Sequence, residues 1–193
     1  MLRRLYNSVL ALAERPVAPY WLGAISFAES SFFPVPPDVM LVPMALARPE
    51  RAWAYALVCT ATSVAGGLLG YAIGALLFDT VGQWLFNLYG LQAKAEDFRA
   101  GYAHYGAFII LLKGVTPIPY KLVTITSGFA GYDLLAFTLL SIVTRGARFG
   151  LLAWAVRRYG ETIRHTLDRH LGLAAAVLGV CVVGGFALLK LVG

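Results

Sequence analysis

One stretch of the chain, residues 52–78, carries no charged side chain in 27 consecutive positions. A helix needs about 20 apolar residues to cross the hydrocarbon core of a bilayer, so this stretch predicts a transmembrane helix. Two further stretches are also long enough: residues 171–192, and residues 134–156, which include Arg145 and Arg148. The sequence therefore predicts an all-α integral membrane protein with about three spanning helices.

The composition agrees with a membrane protein. Of the 193 residues, 59% are hydrophobic and 13% are charged, whereas soluble domains have about 45–50% apolar and about 25% charged residues. The net charge of +6 on so apolar a chain favours the anionic surface of a membrane over nucleic acid. Cys59 and Cys181 both lie in apolar runs, so neither a disulfide framework nor a metal site is indicated.

Two other apolar stretches, residues 17–47 and 105–131, are interrupted by prolines. Proline breaks a helix because it removes a backbone hydrogen bond and clashes with the preceding turn. The arms beside each break are too short to span, and broken backbone at membrane depth persists only where protein or a water-filled cavity satisfies it. Each stretch therefore predicts a re-entrant hairpin, with one kinked spanning helix as the alternative. The predicted breaks lie at Pro34, Pro36, Pro37, Pro117 and Pro119.

Segments of mixed polarity flank these stretches. Residues 1–16 and 82–104 place apolar and charged side chains on different helical faces, which predicts helices lying in the membrane interface. With both hairpins re-entrant, nine Lys and Arg residues lie on the side of the N-terminus and three on the other. Because cytoplasmic loops are enriched in Lys and Arg, the count predicts a cytoplasmic N-terminus.

The two predicted hairpins share a sequence pattern. Residues 33–39 (FPVPPDV) align with residues 116–122 (TPIPYKL) at an offset of 83 positions, and a predicted spanning helix follows each motif. One hairpin would enter from each side of the membrane. This is the plan of inverted-repeat transporters, whose broken helices form the substrate site near the midplane. A chance match between proline-rich turns is the alternative.

Six ionisable residues lie at predicted membrane depth, where each Arg, Lys or Asp costs about 2.5–3.5 kcal/mol and usually marks a pathway or an ion pair. Four cations against two carboxylates leave an excess of two positive charges, which a phosphate group would neutralise. The carboxylates also suit proton coupling, since burial and neighbouring cations shift a carboxyl pKa in opposite directions. A static network of ion pairs is the alternative. The six are Glu29, Asp38, Lys113, Lys121, Arg145 and Arg148.

Three motifs in this order resemble the YqaA-like branch of the DedA family, bacterial inner-membrane proteins that carry the VTT (SNARE-associated) domain. They are residues 29–38 (ESSFFPVPPD), 113–121 (KGVTPIPYK) and 145–149 (RGARF). The likeness covers roughly residues 20–160 and implies one multi-pass domain over residues 17–160, with re-entrant hairpins in an inverted-topology repeat. It also implies movement of lipids such as undecaprenyl phosphate or phosphatidylethanolamine between leaflets.

The resemblance also bears on individual residues. Glu29 and Asp38 match the acidic pair of the family's first hairpin. Lys113 and Lys121 fall where the better-known branch has two arginines around a proline, but they are lysines at a wider spacing. Because lysine binds phosphate as a point charge and arginine can bind it through two donors, the planar contacts would come from Arg145 and Arg148 instead.

The leading functional hypothesis is a flippase or scramblase for a phosphate-bearing lipid. Two alternatives remain: a proton-coupled exporter of small cations or drugs, and a non-transporting membrane assembly factor. No nucleophile elbow, P-loop or dinucleotide fingerprint occurs, and His104, His165 and His170 lack the spacing of metal ligands, so neither an enzyme nor a cofactor is expected. The expected partners are membrane lipids with anionic headgroups and no nucleic acid, and a homo-oligomer is left open.

Overall fold

The computed structural model describes residues 16–31, 36–84, 88, 92–113 and 119–169, and these residues contain helices and connections but no strand. The predicted C-terminal helix at residues 171–192 and nearly all of the predicted N-terminal helix at residues 1–16 lie outside these ranges. Six α-helices are described: α1 (Ala18–Ser31), α2 (Asp38–Ala47), α3 (Ala52–Leu77), α4 (Gln92–Lys113), α5 (Tyr120–Phe129) and α6 (Leu134–Arg169).

Two of the helical segments, Pro49–Thr80 and Leu134–Thr162, are long and apolar enough to cross a membrane. The first consists of a 3₁₀ turn, α3 and the first three residues of a π-helical turn, Phe78–Gly82. The second belongs to α6, which continues past the predicted end at residue 156 and has non-helical backbone angles at Tyr159. Long apolar side chains on α3 and α6 are exposed on the outside of the bundle, which suits contact with lipid. Examples are Leu57, Leu135 and Leu151.

The two ends of α3 define the two ends of the bundle, called here the Trp53 end and the Phe78 end. Trp53 lies beside Gly150 of α6, so the later turns of α6 are at the Trp53 end. The hydroxyl of Tyr71 donates to the carbonyl of Tyr132, which places the start of α6 toward the Phe78 end. The two long helices are therefore antiparallel.

Helices α1 and α2 form a hairpin whose open end is at the Trp53 end. Ser26 and then Ser31 donate to carbonyls one to two turns apart on α3, so α1 runs parallel to α3 and ends near its middle. Helix α2 returns, and its Leu46 lies beside Gly160 of α6. Pro36 and Pro37 lie between the two arms, and Pro34 is outside the described residues.

Helices α4 and α5 form the second hairpin, which is open at the Phe78 end. Near the start of α4, Arg99 donates to the carbonyl of Ala130 at 3.0 Å and lies over the Phe78 ring. Further along α4, Ile110 packs with Val123 of α5, so the two arms are antiparallel. Helix α4 is continuous across the predicted boundary at residue 105, because no proline interrupts residues 92–113.

Close packing of both hairpins on α3 depends on a row of glycines. A Cβ on Gly66 would overlap the backbone of Phe27 in α1, and one on Gly74 would overlap the backbone of Ile125 in α5. Gly70 lies between them. Small residues let membrane helices approach closely, and the glycine ridge at residues 66, 70 and 74 is such a packing surface.

Helix boundaries recur along the chain. Tyr120, the first residue of α5, follows Asp38, the first residue of α2, by 82 positions. Leu134 at the start of α6 follows Ala52 at the start of α3 by the same 82. Each short helix thus comes after a proline and before a long helix at matching positions.

Candidate functional site

Arg145 on α6 is the centre of the charged site. Its side chain is 2% exposed, its Nε donates to Ser63 Oγ at 2.6 Å, and its Nη2 donates to Glu29 Oε2 at 2.9 Å. The guanidinium lies over the rings of both Tyr120 and Phe149, with its Cζ 4.7 Å from each ring centroid. Cations are attracted to aromatic faces, so this one side chain connects α1, α3, α5 and α6.

Serines of α1 hold Glu29 in place. The hydroxyls of Ser30 and Ser63 are 2.7 Å apart, while Ser26 and Ser31 each donate to a carbonyl of α3 at 2.8 Å. Sequence reasoning missed this set, although the four-residue spacing of Ser26 and Ser30 puts both on one helical face. The hydrogen bonds fix α1 against α3 and therefore fix the backbone on either side of Glu29.

The second ion pair joins Arg148 to Asp38. Arg148 Nη2 donates to Asp38 Oδ2 at 2.5 Å, and the two side chains are 37% and 28% exposed. Asp38 Oδ1 is buried without a hydrogen-bond partner among the described residues. Asp38 also begins α2, where the helix dipole favours a negative charge. This pair is more open to its surroundings than the Arg145–Glu29 pair.

The two pairs together attach both arms of the first hairpin to α6. Glu29 lies near the end of α1 and Asp38 at the start of α2, while Arg145 and Arg148 are one helical turn apart. The structure thus brings four of the six predicted site residues into one cluster, with each carboxylate against one arginine. In sequence alone, either carboxylate could have paired with any of the four cations.

Of the two predicted lysines, Lys121 is not part of this cluster of pairs. Lys121, in the first turn of α5, is half-buried, and no carboxylate of the described residues lies within ion-pair distance of its ammonium. Lys113 is the last residue of α4, and its side chain lies outside what is described. Pro119 precedes α5, whereas Pro117 is outside the described residues. Lys121 is therefore a positive charge that these two ion pairs leave unbalanced.

A separate polar contact at the Phe78 end joins α4 to the end of α5. The Arg99 guanidinium donates to the carbonyl of Ala130, just beyond the last turn of α5. A basic side chain that binds the last carbonyls of a helix stabilises its C-terminal end. Gly131 follows with a φ of 67°, and a Cβ there would collide with Arg99. Sequence reasoning missed Arg99, because a charged residue in an amphipathic helix carries no signal of its partner.

His104 and Cys59 are the histidine and the cysteine whose side chains the structure describes. His104 is exposed and stacks edge-on against Tyr105 at 4.6 Å. Cys59 is a buried free thiol. In the part of the chain that the structure describes, no group of three His, Cys, Asp or Glu residues could hold a metal ion.

Over the residues that the structure describes, the protein is all-helical, with two helices long and apolar enough to cross a membrane and two arginine–carboxylate pairs between helices. Two proteins are similar along nearly their whole length. An "Uncharacterized protein" of Haemophilus influenzae is 32% identical over 183 residues, which cover 91% of this chain and 93% of that one. An "Uncharacterized protein HI0703 homolog" of Histophilus somni is 31% identical over 182 residues, with 92% and 94% coverage. The chain belongs to the family of these two proteins; no family model and no solved structure matches it.

Proposed function

We propose that the chain is a DedA-type membrane transporter, a flippase or scramblase that moves a phosphate-bearing lipid between leaflets. The observation that carries the proposal is the depth of Arg145. It lies 11 residues after Leu134 in a segment that ends at Thr162, which is roughly 16 Å from the start at 1.5 Å per residue. A charged side chain near the middle of a bilayer about 30 Å thick usually belongs to a transport pathway or an ion pair.

The paired hairpins support a transport pathway. One hairpin opens at the Trp53 end and the other at the Phe78 end, and their second arms begin 82 residues apart. Ser30 in α1 and Thr124 in α5 meet through a 3.3 Å hydrogen bond, so the two hairpins touch deep in the bundle. Two re-entrant hairpins of opposite entry that meet around buried charges match the design of inverted-repeat transporters. The motif resemblance to the DedA family points the same way.

The charge balance favours an anionic cargo. Both carboxylates of the cluster are already engaged by arginines, and Lys121 has no carboxylate partner among the described residues. A phosphate headgroup would neutralise the positive charge of Lys121, whereas a cationic drug would find both carboxylates of the cluster already paired with arginines. Protonation of a carboxylate would weaken its hold on its arginine, so proton coupling belongs to the proposal.

The proposed location is the bacterial inner membrane, with several spans and a cytoplasmic N-terminus. Helix α1 starts at the Trp53 end, where Arg48, Arg51, Arg157 and Arg158 flank the two long helices. Asp79, Asp133 and a single described arginine, Arg99, lie at the Phe78 end. Because basic flanks tend to stay in the cytoplasm, this asymmetry supports an orientation with the Trp53 end inward.

The test is transport by the purified full chain in vesicles. Leaflet exchange of a fluorescent phospholipid and of a polyprenyl phosphate would be measured with and without a proton gradient. The wild type should exceed protein-free vesicles, Arg148→Ala should lose the activity, and Arg157→Ala, an exposed arginine on the same helix, should keep it. Wild-type vesicles that exchange neither lipid under either condition would contradict the proposal.

A non-transporting assembly factor is the second candidate, and the neutral pairing of both carboxylates favours it. In that case the charges only hold the fold together. Glu29→Gln and Arg145→Gln should then lower protein abundance in the same proportion as the cellular phenotype. A lost phenotype at normal abundance would exclude this function.

A further inference from the structure

The two arginines of the cluster differ in how much binding capacity they have left. Arg145 is 2% exposed, donates to Ser63 and Glu29, and has its Cζ 4.7 Å from the centroid of each of two aromatic rings. Arg148 is 37% exposed, its guanidinium has one hydrogen bond to the described residues, and its Cζ is 5.9 Å from the centroid of its nearest ring, Phe149. Arg148 therefore retains N–H donors that can reach a ligand.

We propose that Arg148 is the phosphate-binding residue of the site and that Asp38 is an internal competitor, which the phosphate displaces. The inference rests on the proposed function and names the group within it that contacts the cargo. The ligand class is a phosphate monoester or diester, whose paired oxygens match the planar fork of a guanidinium. Arg145 is a positioning residue, which keeps α6 and Arg148 at the required depth.

Asp38 is suited to leaving the pair. Its side chain is 28% exposed, and one carboxylate oxygen holds Arg148 while the other has no partner among the described residues. Its place at the start of α2 lets the helix dipole stabilise the carboxylate after release. The exchange is a ligand substitution without covalent chemistry, because Arg148 gives up a carboxylate and gains a phosphate.

Arg145 could not make the same exchange. Its departure would leave the mostly buried Glu29 carboxylate without its countercharge, would remove one of the two hydrogen-bond partners of Ser63, and would end the contacts with the rings of Tyr120 and Phe149. Breaking a buried pair leaves an uncompensated charge, which is strongly unfavourable. Of the two adjacent ion pairs, one is therefore fixed and the other exchangeable.

The experiment measures binding to the full chain in detergent micelles, by calorimetry with inorganic phosphate and by native mass spectrometry with short-chain phosphatidic acid. A diacylglycerol of equal chain length serves as the phosphate-free lipid. Removal of the competing charge in Asp38→Asn should tighten phosphate binding about tenfold, since hydrogen bonds to charged groups are worth about 1.5–3 kcal/mol. Arg148→Ala should weaken binding at least about tenfold on the same basis, Arg148→Lys should fall between, and Arg157→Ala should match the wild type.

Two results would overturn the inference: phosphate binding no tighter in Asp38→Asn and Asp38→Ala than in the wild type, or unchanged binding in Arg148→Ala. Thermal unfolding of each variant shows that it is folded, and Asp38→Ala and Arg148→Lys replace any variant that is not. Tighter binding of phosphatidic acid than of inorganic phosphate identifies a lipid headgroup as the source, and the reverse identifies free phosphate.

The failure of this inference and the failure of the proposed function are separable. If vesicles show no lipid exchange while binding follows the predicted order of variants, the transport function fails and the phosphate site stands. If lipid exchange occurs and Arg148→Ala leaves it intact, transport stands and the assignment of Arg148 is wrong.

Discussion

Arg145 donates a 2.9 Å hydrogen bond to the carboxylate of Glu29, which lies 116 residues earlier in the chain. Neither group has a second oppositely charged partner within ion-pair distance among the described residues. The pair joins α6 to the tip of the first hairpin, and Ser63 and Tyr120 tie it to α3 and α5. The fold and the candidate site therefore depend on the same side chain.

Removal of one partner of this pair should destabilise the protein strongly. Arg145→Ala leaves Glu29 buried without a countercharge, and such losses cost about 3–5 kcal/mol. The double variant Arg145→Met with Glu29→Leu removes both charges and should recover much of the loss. Unfolding midpoints in detergent measure this, and a double variant no more stable than Arg145→Ala would contradict it.

Loss of the second pair should affect activity more than stability. Arg148 and Asp38 are 37% and 28% exposed, against 2% and 14% for Arg145 and Glu29, and the cost of breaking an ion pair rises with its burial. Arg148→Ala should therefore lose less stability than the about 3–5 kcal/mol expected for Arg145→Ala, while lipid exchange in vesicles is lost. A loss of stability as large as that of Arg145→Ala would show that both pairs are structural.

Ser63 links Arg145 to α1, and its substitution tests how much this hydrogen-bonded link contributes to stability. Ser63→Ala removes the acceptor of Arg145 Nε and the partner of Ser30 in one step. An unsatisfied buried polar group costs about 1–3 kcal/mol, so the unfolding free energy should fall by that amount. Thr60→Ala is the matched control, because the Thr60 hydroxyl donates only to a carbonyl of its own helix. Equal losses in the two variants would show that the serine contact adds nothing specific.

The sequence indicated the charged residues but not their pairing. A charge inside an apolar run is visible in sequence because the bilayer disfavours it, so Glu29 and Arg145 could be identified. Their pairing depends on where α1 ends against α6, and a separation of 116 residues carries no local pattern. The flanking rings of Tyr120 and Phe149 were equally hidden, since an aromatic residue among apolar neighbours looks like ordinary core.

Helix boundaries could also be predicted only where the local sequence carries a signal. Prolines predicted breaks near residues 36 and 119, and in the structure α2 begins at Asp38 and α5 at Tyr120. The start of the second hairpin could not be placed, because the polar and apolar halves of α4 join without a proline. Prolines in the sequence thus located the interruptions between helices. The change from a polar to an apolar environment along the continuous helix α4 has no such sequence signal.

Gly131 should resist substitution for two reasons. Its φ of 67° is a left-handed conformation that costs other residues about 1–2 kcal/mol. A Cβ would also displace the Arg99 guanidinium from its place near Ala130. Gly131→Ala should therefore lower the unfolding free energy by at least that amount, and Arg99→Ala by about 1 kcal/mol for the lost hydrogen bond. A Gly131→Ala variant as stable as the wild type would show that this turn can adopt another conformation.

The close packing at the glycine ridge of α3 can be tested by comparing the same glycine-to-alanine substitution at a packed and at an open position. Gly66→Ala places a methyl group into the backbone of Phe27, and backbone cannot move aside as a flexible side chain can. Overpacking costs about 1–3 kcal/mol, so the variant should lose stability by at least that amount. Gly101→Ala on α4 is the control, since a Cβ there meets nothing within 4 Å. Alanine favours a helix over glycine by roughly 0.5–1 kcal/mol, so Gly101→Ala should unfold at a slightly higher temperature than the wild type. If both substitutions stabilise the protein, α1 does not pack against α3 as closely as the structure has it.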